Sequence, residues 1–551
     1  MEPIWKKHWP PAVDEASIRL PDELLPAILA RQARRVPGRT AIQFYGRAVT
    51  FAELDAAAGR FAGFLRERGV QAGDRVAIFL ENSPQFAIGY YGTLRAGAVA
   101  VCLNPMHKAV ELSHEFEDSG ARALLTTDLA YEVVEPIRAR TKLTTVVLTS
   151  YKDFLPESPA LPPPPSFLET KAGQRPAGTD ALLDVLRTAP ELKTQVPRLL
   201  SDTALLQYTS GTTGTCKAAE ITHRNLVSTC ELQHVYIGSA DGDVALGVLP
   251  WFHITGMECQ MNMMAYLGAT VVALGRFDLV TVLRAIELYR CTLTTLIATV
   301  NVAIVNFPRT KEFDLSSLRH CFSGGAPVPP AIARRWEEIT GHKLIEGYGL
   351  SETTAPTHIN PPHRPKYGTV GVPLPLTEAR VVDAADGVTE VGIGKSGEIA
   401  VRGPQVMKGY WRNPVATAAA LRDGWFLTGD IGRVDEDGYF SIEERKKDML
   451  KVSGYSVFPA EVEAIMYRHP AIAEVGVVGV PDPYRGEDPV AFVVLKPDAK
   501  GQVSEAQLVE WCKSEMSAYK APRQVRFIDA LPKTATGKVL KRILREQAKG
   551  T

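Results

Sequence analysis

The chain reads as an α/β protein: a large N-terminal body of βαβ-type sheets plus a β-rich subdomain, with a small α+β C-terminal domain. Three observations lead to that expectation. Short apolar strand patterns recur between stretches of helical periodicity. A Gly-rich run of short strands occupies residues 368–441, and after Arg445-Lys446-Lys447-Asp448 the pattern becomes a compact mixture of helix and strand. The 551 residues exceed one ordinary domain. We expect a body over 1–444 and a C-terminal domain over 445–551, joined at 443–448.

The elements follow in order. Thr50-Phe51-Ala52-Glu53-Leu54 puts a Thr-x-x-Glu capping box at the start of an amphipathic helix. Asp74–Leu80 is a short apolar run that reads as a buried strand. Residues 86–103 are the most apolar span but are broken by Arg95 and several Gly. They are short for a membrane crossing, so a buried helix leading into a strand is expected. Strands at 122–126, 145–149, 245–249, 270–274 and 293–297 continue a βαβ rhythm and imply largely parallel sheets. Residues 155–200 interrupt it, because Pro156, Pro159 and Pro162–Pro165 favour a polyproline-like surface loop. Beyond 445 the pattern predicts helix 459–467, strands 474–480 and 490–496, helix 504–517, strand 525–529 and helix 538–548.

Composition excludes several classes. Lys+Arg and Asp+Glu both number 62, so no global basic field exists to attract nucleic acid. The seven cysteines are odd in number, scattered and without a CxxC pair, which argues for a reducing compartment and against a zinc site. The N-terminus lacks an apolar signal region and the C-terminus, Lys549-Gly550-Thr551, is not a peroxisomal address. A cytoplasmic location is expected.

The chemistry concentrates in a few stretches. Thr209-Ser210-Gly211-Thr212-Thr213-Gly214 is followed by one cation, Lys217. Backbone N–H groups of a Gly-containing turn, with hydroxyls beside them, form a donor set for phosphates. The spacing is not that of a Walker A loop. Ser323-Gly324-Gly325-Ala326-Pro327 has paired glycines that let another group approach the backbone closely. Residues 346–354 read EGYGLSETT, 424–430 GWFLTGD, 445–459 RKKDMLKVSGYSVFP and 532–538 PKTATGK.

Together these stretches, from about residue 40 to 545, resemble the adenylate-forming (ANL) superfamily. It includes acyl-CoA synthetases, the adenylation domains of peptide synthetases, and luciferases. The usual signature is TSGTTG-x-P-K-G, and this chain has Cys216 and Ala218 at its Pro and second Gly. The resemblance implies that a carboxylate attacks the α-phosphorus of ATP, pyrophosphate leaves, and a thiol opens the acyl-adenylate. Positioning and charge neutralisation do most of that work.

The resemblance also implies roles. Thr209, Ser210, Gly211, Thr212, Thr213 and Gly214 would cradle phosphate, with Lys217 as a catalytic cation. Gly324, Gly325, Ala326, Pro327, Glu346, Gly347, Tyr348, Gly349 and Ser351 would line the adenine. Glu352 with Thr209 would hold Mg²⁺, and Asp430 with Arg445 would clamp the ribose. Lys538 would serve adenylation and Lys451 the thioester step. A mobile C-terminal domain would turn between the two steps about Lys447.

In residues 249–256, LPWFHITG, Trp251 and His253 would lie beside the acyl channel, His253 as its gate or as a structural hydrogen-bonder. Met257, Met261 and Met264 are spaced for one helical face, with Met263 adjacent; they suit either a deformable apolar wall or a core helix. The stretches QYTSGTTG, EGYGLSE, GPQVMKGYW and ERKKDM look most like bacterial long-chain fatty-acyl-CoA ligases. ATP, Mg²⁺ and CoA are expected with a fatty acid. Aryl or medium-chain acids, a carrier-protein acceptor, and a nucleotide-binding protein without turnover stay as alternatives. A homodimer and a peripheral membrane contact through the Pro-rich loop also stay open; a transmembrane segment and nucleic acid are not expected.

Overall fold

The structure is a computed structural model that describes residues 3–171, 174–209, 216–453, 455–483, 485–534 and 539–549. The chain divides into two compact units: Met1–Glu378 with Arg402–Phe426, and Ala379–Val401 with Leu427–Thr551. Each is described by itself.

Two sheets build the first unit. One has nine strands in the order Val372–Pro373, Ala355–Ile359, Leu344–Leu350, His320–Gly324, Leu293–Ile297, Val244–Gly247, Thr270–Ala273, Thr40–Phe44 and Arg47–Thr50. Its middle is parallel, as the βαβ rhythm predicts, and antiparallel strands close both edges. The other has eight strands: Gly409–Tyr410, Lys217–Thr222, Thr203–Thr209, Val99–Cys102, Arg75–Phe79, Ala123–Thr127, Thr145–Thr149 and Asp180–Ala181. Ala77, Phe79, Val101, Leu124, Val146 and Leu206 from this sheet pack with Leu112, Phe116 and Tyr131 in one core. Burying each large side chain contributes ~1.5–3 kcal/mol.

The local signals hold where they were strongest. Thr50 Oγ1 accepts the Glu53 amide at 3.2 Å while the Thr50 amide donates to Glu53 Oε2 at 2.7 Å, completing the capping box of helix Phe51–Glu67. Helix Pro84–Arg95 is buried on every side and leads into strand Val99–Cys102. That explains its apolar text, because a helix without a polar face has to be covered all round. Arg95 is the exception, and it is satisfied there by an ion pair with Asp55. Among the described residues no helix is long and apolar enough to cross a membrane.

The Pro-rich segment differs from expectation. It carries helices Pro165–Leu168 and Leu182–Thr188 and a strand Asp180–Ala181 on the sheet edge. Leu161, Phe167, Leu182 and Val185 are buried, and Phe167 stacks on Tyr151 with ring centroids 3.9 Å apart. A few apolar anchors between the prolines pin the segment down; proline spacing alone hides them.

In the second unit, residues 430–434 pair antiparallel with strand Phe440–Arg445. Beyond them, Ile472–Asp482 and Gly486–Leu495 form a long antiparallel pair, with Gln524–Phe527 parallel on its outer side. Helices Pro459–Met466, Glu505–Glu515 and Lys541–Lys549 complete the α+β pattern. Val462, Met466, Val477, Val493, Leu508 and Cys512 fill its core. The last helix begins at Lys541, three residues later than its periodicity predicts, and residues 535–538 lie outside the described residues.

Candidate functional site

The Ser/Thr/Gly loop leaves one strand and returns into the next. The antiparallel ladder sets Thr209 opposite Lys217, so both ends of the loop meet at one point. Thr209 Oγ1 donates to the Lys217 carbonyl at 3.2 Å and fixes the mouth. Ser210, Gly211, Thr212, Thr213 and Gly214 lie outside the described residues.

Lys217 begins the strand that Gly409–Tyr410 flanks, with Tyr410 opposite Ala219. Residues 217 and 219 share a face, so the Tyr410 side chain lies over small Ala219 and diagonally against Lys217. The Lys217 ammonium sits 5.0 Å from the centre of the Tyr410 ring. At its other end the phenol donates to Glu352 Oε1 at 2.8 Å. Lys217 and Glu352, which the sequence pairs only through the resemblance, are thus joined by one tyrosine.

The turn that presents Glu352 is strained. Thr354 and Ala355 have φ of 51° and 78°, left-handed for two consecutive residues with side chains. Such backbone costs ~1–3 kcal/mol per residue and persists only where the surroundings enforce it. Thr353 Oγ1 donates to the Ala355 carbonyl at 2.9 Å, and Thr354 Oγ1 to the Gln405 carbonyl at 2.8 Å. Gly349 is needed beside them: a Cβ there would stand 1.8 Å from the Ala355 oxygen.

Two parallel strands end side by side next to this turn. Ser323 is in register with Glu346, and a Cβ on Gly324 would touch the Gly347 carbonyl at 3.5 Å. Gly325 turns the chain with φ of 79°, leaving Ala326 and Pro327 exposed. Glu346 is buried and accepts the Val328 amide at 2.9 Å, so it staples that turn to the neighbouring strand. Burial pushes its carboxyl up to about 7. Tyr348 lies 5.7 Å from the His358 ring, centroid to centroid, and Ser351 opens the short helical turn carrying Glu352. Exposed carbonyl ends of parallel strands are where open α/β sheets bind ligands.

The acyl stretch is more buried than its spacing suggests. Trp251 is fully buried, edge-on to Phe86 at 6.0 Å, with its amide on Asn82 Oδ1 at 2.7 Å. His253 caps the short helix Ile254–Gly256, Nδ1 accepting the Thr255 amide at 3.4 Å. Met257 and Met261 lie on a π-helical segment, Met257–Asn262, that continues into Met263–Leu267. The methionines sit in a run that is buried almost throughout, as the core-helix alternative has it, with Glu258, Gln260 and Asn262 also inside. Asn262 donates to Glu258 at 2.6 Å, and burial raises the Glu258 carboxyl to about 8. π-turns of this kind are rare and recur at functional sites.

In the second unit the ladder sets Asp430 opposite Arg445, and the guanidinium Nε lies 2.7 Å from Asp430 Oδ1. Asp430 is buried and Arg445 half-buried. Gly429, at φ of 71°, donates its amide to Glu398, which also takes the Lys446 ammonium at 2.8 Å. Glu398 therefore fixes the turn before Asp430, a role its own stretch of sequence does not signal. Lys447 is exposed one residue on, and Lys451 lies on strand Leu450–Val452, its amide on Glu487 at 2.8 Å. Lys538 lies outside the described residues.

One further cluster sits beside Arg445. Glu444 accepts the Arg445 amide with one oxygen and the Ala460 amide with the other, each near 2.9 Å. Lys541 comes from the last helix to lie 3.3 Å from Glu444 and 3.2 Å from Glu463. Burial pulls the Lys541 ammonium down, but Glu463 and Glu444 outweigh it and the net shift is upward. One helical turn on, Arg545 pairs with Asp448 at 2.5 Å.

Comparison with known proteins agrees over the whole chain. An AMP-binding enzyme model matches residues 29–411, and an AMP-binding enzyme C-terminal domain model matches 461–538. The chain is 38% identical to a long-chain-fatty-acid–CoA ligase of Bacillus subtilis (strain 168), covering 98% of each. It is also 38% identical to a feruloyl-CoA synthase of an Amycolatopsis species, over 94% of this chain and 97% of that one. ATP-bound MatB from Rhodopseudomonas palustris superposes with a TM-score of 0.84 at 32% identity, covering 96% of this chain and 99% of that one. An anthranilate CoA ligase in complex with anthranoyl-AMP does so at 0.86 and 29%, over 98% and 99%.

Proposed function

The chain belongs to the AMP-binding enzyme family as an AMP-forming acid–CoA ligase, and we propose that the acid it activates is a long-chain fatty acid. ATP and CoA are its co-substrates. The acid's carboxylate oxygen bonds to the α-phosphorus as the bond to pyrophosphate breaks; the CoA thiol then takes the acyl group and AMP leaves.

Lys217, emerging from the phosphate loop, would carry positive charge to the transferring phosphate, where charge develops in the transition state. Gly324, Gly325, Ala326, Pro327, Gly347 and Tyr348 would form the ledge for adenine, and Asp430 oriented by Arg445 would accept the ribose hydroxyls. Thr209 and Glu352 fit Mg²⁺, because they supply a hydroxyl and a carboxylate, hard oxygen donors. Among the described residues no cluster of three His, Cys, Asp or Glu could hold a metal. That suits an ion held by one carboxylate and substrate phosphates. When bound, Mg²⁺ would neutralise phosphate charge.

The observation that carries the reading is the Lys217–Tyr410–Glu352 group at the exit of the phosphate loop. Likeness along 98% of a fatty-acid ligase, and the buried methionines 257, 261, 263 and 264, support a flexible alkyl chain as the acid. A second reading, an aryl acid, is favoured by the equal identity to feruloyl-CoA synthase. Pyrophosphate release with ATP, Mg²⁺ and CoA, screened over C2–C18 acids, benzoates and ferulate, separates them. We expect kcat/KM for C14–C18 acids at least tenfold above every aryl acid. A higher value for ferulate or benzoate would transfer the conclusion to aryl acids, and no acid-dependent pyrophosphate at all would overturn it.

A further inference from the structure

We propose that Tyr410 is a positioning residue for adenylation, holding the Lys217 ammonium and the Glu352 carboxylate in separate, working orientations. The inference rests on the assignment of those two groups made above. The geometry is specific: one side chain offers its ring face to the cation at 5.0 Å and its hydroxyl to the anion at 2.8 Å. Opposite charges this close to a common neighbour are drawn to pair directly, and a direct pair would cancel both. Lys217 would then offer less to phosphate, and Glu352 less to a metal. Among the described residues no ion pair joins them; the tyrosine stands between.

The side chain is itself held. The Tyr410 amide donates to Thr417 Oγ1 at 2.9 Å, and its strand is locked on Lys217–Thr222 through the Gly409–Glu220 and Tyr410–Ala219 register. Next to it, the Lys408 ammonium lies 2.8 Å from Glu220 Oε1. The Met407 amide donates to the Glu352 carbonyl at 2.8 Å, tying the same segment to the turn that presents Glu352. The phenol thus reaches Glu352 from a fixed backbone, and its hydrogen bond sets which carboxylate oxygen stays turned away.

Two substitutions separate the roles of ring and hydroxyl. Tyr410→Phe keeps the ring over Lys217 and removes the hydroxyl; Tyr410→Leu removes both. Mn²⁺ is titrated by electron paramagnetic resonance into full-length protein with a non-hydrolysable ATP analogue, and the Mg²⁺ dependence of acid-dependent ATP–pyrophosphate exchange is measured alongside. Phenylalanine cannot donate to the charged carboxylate, so we expect Mn²⁺ to bind about tenfold more weakly in Tyr410→Phe. The Mg²⁺ activation constant should rise alike, with the KM for CoA unchanged. Tyr410→Leu should in addition raise the KM for ATP severalfold as the cation–π interaction goes. In a Glu352→Gln background Tyr410→Phe should cause no further loss, because it acts through that carboxylate.

Metal constants within twofold of wild type in Tyr410→Phe would overturn the proposal. So would a KM for ATP in Tyr410→Leu no higher than in Tyr410→Phe, or full additivity with Glu352→Gln. Should Tyr410→Leu fail to fold, the Phe variant and the double mutant decide alone. The Mn²⁺ titration needs no turnover, so a wild-type protein without acid-dependent exchange would overturn the functional reading while this inference is still decided.

Discussion

Replacing Lys541 by Met takes the cation out from between Glu444 and Glu463 and leaves two carboxylates facing a neutral side chain. Breaking a buried pair in this way costs ~3–5 kcal/mol, because one charge stays desolvated and uncompensated. The side chains keep 14% (Lys541), 6% (Glu444) and 18% (Glu463) of their surface in solvent, which puts the cost near the lower bound, ~3 kcal/mol. The cost depends on pH. Burial raises the Glu463 carboxyl and Lys541 pulls it back, so without Lys541 it rises further. The folded variant then keeps a proton that the unfolded chain loses above about pH 4.5, and its stability falls as pH rises through that window. We expect ~1–2 kcal/mol at pH 5.5 and ~3 kcal/mol at pH 8. Two compact units make a single unfolding midpoint ambiguous, so the assay is local. Hydrogen exchange by mass spectrometry on Pro459–Met466 and Lys541–Lys549, corrected for intrinsic rates, should speed up about a hundredfold at pH 8 and clearly less at pH 5.5. Adding Glu463→Gln should recover part of the loss. Equal acceleration at both pH values, or no recovery in the double variant, would refute the reasoning.

Lys538→Ala should slow acid-dependent pyrophosphate exchange about 10²–10³-fold, the usual effect of losing one transition-state donor, and slow thioester formation from preformed acyl-adenylate much less. Glu346→Gln should flatten the pH dependence of stability. The native carboxyl, raised to about 7, keeps a proton that the unfolded chain gives up above about 4.5, so wild type should lose ~3 kcal/mol between pH 5 and pH 8 that the Gln variant keeps. Hydrogen exchange on strand Leu344–Leu350 at those two pH values, corrected for intrinsic rates, measures it. Gly349→Ala forces a methyl to 1.8 Å from the Ala355 oxygen; the Glu352 turn should shift, speeding hydrogen exchange of Leu344–Leu350 and weakening Mn²⁺ binding with an ATP analogue at least tenfold.

Contiguous features could be read before folding. The capping box at Thr50 and the buried helix 84–95 needed only local text, whereas the pairing of Asp430 with Arg445 came from the family resemblance, without the antiparallel ladder that makes it. Features made by register could not. Tyr410 reaches Lys217 because it stands opposite Ala219, about 190 residues earlier in the chain, and its own stretch GPQVMKGYW marks only the class. Glu398 and Glu444 act through amides brought to them by folding, and a lone Glu carries no signal for that. The methionine spacing left a deformable wall and a core helix open; the run from Ile254 is largely buried, as a core helix would be, and its π-turn has no signal in the spacing. The short helices within 165–188 were hidden by the prolines that run up to them, Pro156, Pro159 and Pro162–Pro165.

The order of strands across the eight-stranded sheet also has a meaning in time. Among the described residues, strand Lys217–Thr222 is covered on its outer side only by Gly409–Tyr410. A ribosome adding ~5–20 residues per second leaves that edge open for ~10–40 s after Thr222 is made. Its sequence suits the wait: Glu220 places a charge on an edge that is otherwise an invitation to foreign strands. A nascent chain that pairs Thr203–Thr209 with Lys217–Thr222 within that interval holds the mouth of the Ser/Thr/Gly loop without its tyrosine. A truncation upstream of residue 409 would freeze the protein there, with an unguarded edge and a site that cannot be finished.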